Sequence, residues 1–323
     1  MPRFAALDLG SNALRLRIVE AYAAAQGREQ LDLIPEASSS FREVLSLRAP
    51  VRLGSEVFVT GRLAAASIGQ ACAALRDFRT AMDAAKVDVY RATATSAVRE
   101  AANGATLVER ARREAGIELE VIEGVEEARL IQLAVVRRLG LSDKRALLVD
   151  VGGGSTELTY LDKGRNAFAM SLPVGTVRLL ETYLRGAKTV DRKTQKLLFE
   201  GVDRALAEAA PQLGKIPFEL VVGTGGSVDT LFELCPLKGG FGGYARAVDV
   251  SGARSLLNKL FGMTIEQRRD TYGLRPDRAD TIVPATSIFL RAAETFKATA
   301  IVAPGVGLKE GILEELVDKH FDR

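Results

Sequence analysis

The sequence predicts a duplicated α/β protein with a central cleft. Two stretches carry the expectation: Asp8-Leu9-Gly10-Ser11-Asn12 and Asp150-Val151-Gly152-Gly153-Gly154-Ser155-Thr156-Glu157. Each follows an apolar strand-like run (Phe4 to Leu9; Ala146 to Val151) and precedes another (Leu14 to Val19; Leu158 to Leu161). Both read as β-hairpins whose turn is led by a carboxylate and built from glycine and small hydroxyl residues. Glycine lets backbone N–H groups turn toward an anion, hydroxyls add donors, and the flanking acid can hold a divalent cation. A Gly-Gly-Gly stretch after a strand is often only a turn. Two such loops, both opened by Asp, point to half-molecules facing one another across a phosphate-binding cleft.

The elements follow in order. The opening 40 residues read as three strands, Phe4 to Leu9, Leu14 to Tyr22 and Leu31 to Ser40, and a less regular stretch then leads to a helix from about Gly61. Its apolar stripe of Ile68, Ala71, Leu75, Phe78 and Met82 has helical spacing and reads as core. Strand Val87 to Ala92, a short helix capped by Thr95-Ser96, helix Ala105 to Ala115 and strand Glu118 to Ile122 complete a first unit. A helix from Gly124 to Leu139 comes next. Strands Ala146 to Val151, Ser155 to Leu161 and Ala167 to Ser171 then repeat the opening meander. Helices near Thr176 to Leu184 and Asp191 to Leu213 lead to strand Glu219 to Val222. That strand enters a third glycine loop, Gly223-Thr224-Gly225-Gly226-Ser227, at the start of a helix, a ready anion site or simply a close packing point. The apolar run Ile288 to Phe296, a strand Ala300 to Ala303 and a final helix Gly307 to Lys319 close the chain. The expected domains are 1–123 and 124–306, with the helix at 307–323 packing back on the first.

Composition narrows the chemistry. The 323 residues suit two domains, and 47% hydrophobic content supplies two cores. The net charge is +3, Trp is absent, and no basic tail or aromatic-interleaved patch points to nucleic acid. Cys72 and Cys235 lie apart on apolar stretches, which fits buried thiols in a reducing compartment. Neither a signal peptide nor a membrane-length apolar run is read, so the expected location is cytoplasmic. The single histidine, His320, leaves no Ser-His-Asp triad and no histidine-rich zinc site. Carboxylates must carry any acid–base or metal work.

Further motifs converge on a family. Beside the two loops stand Arg15, Ala94-Thr95-Ser96-Ala97-Val98-Arg99 with Asn103, and Gly124-Val125-Glu126-Glu127-Ala128-Arg129-Leu130. Later come Pro173-Val174-Gly175 with Arg178, the Gly223 loop, Arg278-Ala279-Asp280 and Gly307-Leu308-Lys309-Glu310-Gly311. In these motifs, from Phe4 to about Leu313, the chain resembles the exopolyphosphatase/guanosine pentaphosphate phosphatase (Ppx/GppA) family in its short two-domain form. That family belongs to the actin-like and sugar-kinase superfamily. The resemblance implies duplicated actin-like (ribonuclease H-like) domains.

Taken alone, Glu126 and Glu127 are acids complementing a helix N-terminus. The resemblance implies that Glu127, directly before Ala-Arg, is the catalytic carboxylate that orients the attacking water. It likewise implies that Asp150, Glu157 and Asp8 hold Mg²⁺ (or Mn²⁺), where Asp150 alone reads as a turn acid. Arg99, otherwise a surface ion-pairing residue, becomes a catalytic guanidinium reaching the phosphate chain. Phosphate contacts are expected from Gly10, Ser11, Asn12, Arg15, Gly152, Gly153, Gly154, Ser155, Thr156, Gly225, Gly226 and Ser227. Arg129 and Arg178 read equally as structural. Three departures stand out. Ala13 replaces a hydroxyl residue, Ala285 a glycine, and Glu123 a serine, the last placing negative charge near Glu127.

The expected activity is release of terminal phosphate from inorganic polyphosphate or guanosine pentaphosphate by water, with no covalent intermediate and with closure of the domains about a hinge near Glu123. The alternatives are an ATPase or small-molecule kinase of the same superfamily, and a non-catalytic polyphosphate or alarmone sensor. No nucleic-acid or membrane partner is expected, and a homodimer is left open.

Overall fold

The computed structural model describes residues 1–22, 41–213 and 216–321. The strand read at Leu31 to Ser40 lies outside them. The chain divides into two compact units: Met1–Leu53, Arg62–Gly140 and Val306–Arg323 form one, Gly54–Gly61 and Leu141–Gly305 the other.

The first unit holds a five-stranded sheet of β1 (Arg3–Leu9), β2 (Leu14–Ala21), β3 (Phe41–Ala49), β4 (Val89–Ala94) and β5 (Leu119–Val121) in the order β3-β2-β1-β4-β5. β1 pairs antiparallel with β2 and parallel with β4. The second unit holds β6 (Ala146–Val151), β7 (Thr156–Asp162), β8 (Arg165–Leu172), β9 (Leu220–Thr224), β10 (Ala247–Asp249) and β11 (Ala300–Val302). Their order is β10-β11-β9-β6-β7-β8. Read from the meander edge, each sheet runs third, second, first, fourth; the first sheet then ends on its fifth strand, and the second continues with its sixth, β11, and its fifth, β10. The duplicated α/β class is therefore present in the topology itself.

The two leading strands explain why the halves are legible. Phe4 to Leu9 are all buried, as are all six residues of β6. A strand covered on both faces reads as a continuous apolar run rather than an alternating one. In the second unit the helix Ile282–Thr295 is buried along most of its length and packs between helices Arg192–Leu213 and Val250–Phe261. Ala285, one of the three departures, lies within it, fully buried. Cys72 and Cys235 are both buried free thiols. No helix among the described residues is long and apolar enough to cross a membrane.

Three differences from the sequence reading have physical causes. β3 occupies Phe41–Ala49, in part of the stretch read as irregular; it is an edge strand in which only Phe41 is buried, so its apolar signal is weak. A short helix, Gly54–Thr60, was not foreseen, and it packs in the second unit on the helix Thr176–Leu179. The helix Gly124–Leu139 has the bounds expected but belongs to the first unit, so the division falls after Gly140 rather than at 123/124. The final helix, Leu308–His320, holds it there. A Cβ on Gly311 would lie 1.9 Å from the Leu130 carbonyl oxygen, so only glycine allows the two helices this approach. Arg129 to Glu315 (2.5 Å), Arg91 to Glu315 (2.8 Å) and Arg137 to Glu314 (2.5 Å) add charge pairing along the same face.

Candidate active site

In the first unit, Asp8 is the penultimate residue of β1 and stands opposite Arg15 in the β1–β2 ladder. Residues opposed in an antiparallel pair share a face of the sheet. Arg15 Nη1 accordingly lies 3.0 Å from Asp8 Oδ2. The loop between them closes with the Gly10 N–H on the Ala13 carbonyl at 3.2 Å. Ser11 and Ser96 hydroxyls are 2.9 Å apart, and Asn12 Oδ1 accepts from Arg52 Nε at 2.8 Å. The loop side chains are thus tied to the unit's own framework.

Glu127 sits in the first turn of the Gly124–Leu139 helix and is buried. Its backbone N–H reaches the Glu123 carbonyl, and its carboxylate lies 3.9 Å from Arg99 Nη1. Arg99 itself donates to the Ile122 carbonyl at 2.7 Å and lies 3.9 Å from the Glu123 carboxylate. The extra negative charge of Glu123 therefore lies beside the same arginine as Glu127. Glu126 points elsewhere. Arg129, and more weakly Arg91, hold its carboxyl down to about 2 against the opposing effect of burial, so it is a structural anion.

The second unit repeats the hairpin with different chemistry. Its loop closes in the same way, Gly152 N–H on the Ser155 carbonyl at 3.0 Å. Asp150 takes the place of Asp8, but the residue opposite it is Glu157. Where the first hairpin pairs an acid with a base, the second opposes two buried carboxylates on one face. Like charges placed this way repel, and carboxylate oxygens are the donors that Mg²⁺ and Mn²⁺ prefer. The pair fits a divalent cation. Each carboxylate also has an orienting donor: Thr224 Oγ1 to Asp150 Oδ1 at 2.5 Å and Ser171 Oγ to Glu157 Oε1 at 2.8 Å.

Thr224 ends β9, level with Asp150 in the parallel β6–β9 pairing. Gly225 follows at φ +83°, a conformation natural to glycine, and a Cβ there would crowd Asp150 and the Val151 carbonyl. The third loop therefore lies beside the second. Arg278 donates from Nη1 to Ser227 Oγ at 2.7 Å, beneath the start of the helix Gly226–Leu234.

Successive strand residues point to opposite faces, so Thr156 faces away from Glu157, and its hydroxyl donates to the Val174 carbonyl at 2.6 Å. Asp8 differs from Asp150 in having an arginine, not a second acid, opposite it. Sequence reading passed over Thr224 and Ser171 as orienting groups. Thr224 lies inside the quoted glycine motif, whereas nothing local marks Ser171.

Comparison with known proteins places these features in a group. The description of the Ppx/GppA phosphatase family matches residues 34–320. "Exopolyphosphatase 1" of Mycobacterium leprae is 30% identical over 99% of this chain and 91% of its own length. "Guanosine-5'-triphosphate,3'-diphosphate pyrophosphatase" of Photobacterium profundum is 27% identical over 99% of this chain but 61% of its own length. Among solved structures, the Aquifex aeolicus Ppx/GppA family member superposes with TM-score 0.76 at 27% identity, covering 99% of this chain and 98% of that one. A Cytophaga hutchinsonii exopolyphosphatase, at 24% identity and 98% coverage of both chains, shares the fold with TM-score 0.85.

Proposed function

Given that this chain belongs to the Ppx/GppA phosphatase family, we propose that it hydrolyses the terminal phosphoanhydride of inorganic polyphosphate, with guanosine pentaphosphate as the second substrate to test. The observation that carries the reading is the opposed buried pair Asp150 and Glu157 between two glycine loops. An anionic chain needs its charge neutralised and its terminal phosphorus positioned; little covalent chemistry is left for the protein. Polyphosphate is favoured because the relative named exopolyphosphatase is both the more identical and the more fully covered of the two.

In this reading Asp150 and Glu157 hold Mg²⁺ or Mn²⁺, which supplies charge neutralisation on the phosphate oxygens when bound. Thr224 and Ser171 orient the two carboxylates. Amides of the Gly152–Ser155 and Gly225–Ser227 loops take non-bridging oxygens. Glu127 orients a water and accepts its proton as the new P–O bond forms and the anhydride P–O bond breaks. Arg99, beside Glu127, offsets charge on the transferring phosphoryl group. Asp8, already paired with Arg15, orders the first loop rather than binding the cation.

The test is phosphate release with Mg²⁺ from polyphosphate, guanosine pentaphosphate and ATP in parallel, for wild type and Glu127→Gln. Release from polyphosphate that collapses in the variant supports the reading. Release from ATP alone moves it to a nucleotide hydrolase, and binding without release makes the protein a sensor.

A further inference from the structure

The motif Pro173-Val174-Gly175 with Arg178 has a defined task in the structure. The loop carbonyls of Gly152, Gly153 and Gly154 all accept hydrogen bonds from the segment around the helix Thr176–Leu179. Thr176 N–H donates to Gly152 O at 3.0 Å, and Val177 and Arg178 N–H donate to Gly153 O at 2.8 and 3.0 Å. Arg178 Nε donates to Gly154 O at 2.7 Å. Every peptide bond here is trans, so each carbonyl points opposite to the N–H of the next residue. With three successive carbonyls committed to one side, the amides of Gly153, Gly154 and Ser155 are turned to the other. Such a run of N–H groups forms an anion-binding concavity.

Two further contacts keep Arg178 in this place. A Cβ on Gly175 would lie 2.5–2.6 Å from the backbone of Gly153 and Gly154, so glycine is what allows the two segments to touch. The guanidinium also lies over the ring of Phe58, 4.1 Å from its centroid. Phe58 comes from the helix Gly54–Thr60, the segment that joins the second unit from between two stretches of the first. A planar guanidinium can stack on an aromatic face and still donate from Nε; an ammonium has no equivalent geometry.

We propose that Arg178 is a positioning residue that holds the amides of Gly153, Gly154 and Ser155 in their anion-binding orientation, with Phe58 as its support. It acts through the loop backbone and not by touching phosphate. The identity of the anion rests on the phosphohydrolase reading, but the orientation of the amides does not.

The experiment measures binding apart from turnover. Imidodiphosphate, whose P–N–P bridge resists hydrolysis, is titrated with Mg²⁺ present into full-length wild type, Arg178→Gln, Arg178→Lys, Phe58→Leu and the Phe58→Leu/Arg178→Gln pair. Loss of one charged hydrogen bond to the loop predicts about tenfold weaker binding in Arg178→Gln, measured well below the variant's unfolding temperature. Arg178→Lys is expected to stay within about threefold of Arg178→Gln, and Phe58→Leu to move affinity the same way by about threefold. In the double variant the losses do not add, because they act through one group. Wild-type affinity in Arg178→Lys would overturn the proposal by showing that a charge alone suffices. Unchanged affinity in Phe58→Leu, or strict additivity, would also overturn it. If Arg178→Gln does not fold, Phe58→Leu and Arg178→Lys decide. Should wild type bind imidodiphosphate but release no phosphate from any substrate, the hydrolase reading fails while this one is still decided by the variants.

Discussion

Asp150 lies directly across the β6–β7 ladder from Glu157, both carboxylates buried, at the position where the other hairpin sets Asp8 against Arg15. The same hairpin thus serves two purposes. In one unit its ends neutralise each other; in the other they leave negative charge that a divalent cation would relieve. Chelation is expected to abolish phosphate release and lower the unfolding temperature, and Mg²⁺ to restore both. Glu157→Gln removes the repulsion. It should raise metal-free stability by up to about 1 kcal/mol while losing the Mg²⁺-dependent rise and most activity. Thermal unfolding with and without Mg²⁺ checks this, and a Mg²⁺ shift that survives in Glu157→Gln would remove the residue from the cation site.

Glu127→Gln keeps the helical N–H bond to Glu123 and the approximate shape of the side chain. Only the base is lost. Turnover should fall by roughly 10²–10⁴-fold with KM little changed, as measured by steady-state phosphate release. A variant that raises KM at constant kcat would mean that Glu127 binds substrate instead.

Glu126 gives a pH dependence with a definite sign. Its carboxyl is lowered from 4.5 to about 2, chiefly by Arg129 with Arg91 adding to it. A depressed folded value means that the stabilisation is fully present above about 4.5 and is lost as pH falls toward 2. Glu126→Gln should cost about 1 kcal/mol at neutral pH. The wild-type and variant urea midpoints should converge between about pH 4.5 and pH 2. Parallel midpoints across that range would show that the ion pairs carry no net stability.

Gly311→Ala tests the seat of the helix that carries Glu127. The added methyl meets the Leu130 carbonyl at 1.9 Å, backbone against backbone, with no flexible side chain to yield. A loss of about 2 kcal/mol is expected, read by denaturant unfolding. Turnover should fall as well, because the same helix carries Glu127. A neutral substitution would show that the two helices part easily.

Much of the framework was legible in the residues. β1 and β6 are covered on both faces and so read as unbroken apolar runs, and the helix Gly124–Leu139 has its bounds marked by Gly124 and Gly140. β3 was not, because an exposed edge strand carries little apolar patterning. Nor was the second-unit membership of Gly54–Thr60, since a short helix does not declare which core it joins. At the site, the acids leading both loops were evident. The roles of Thr156, Thr224, Ser171 and Arg178 depended on strand faces and on contacts between segments far apart in the chain.

By itself the sequence determined the duplicated α/β class and the two Asp-led loops, since these follow from local periodicity and turn chemistry. The tertiary structure alone decided which acid faces an arginine and which faces a second acid, and which side of the Gly152–Ser155 loop shows its amides. Both depend on strand register and on donors brought in from Arg15, Thr224, Thr176 and Arg178. A pairing across a ladder, or a carbonyl capped from 24 residues away, leaves no periodic trace in the chain that makes it.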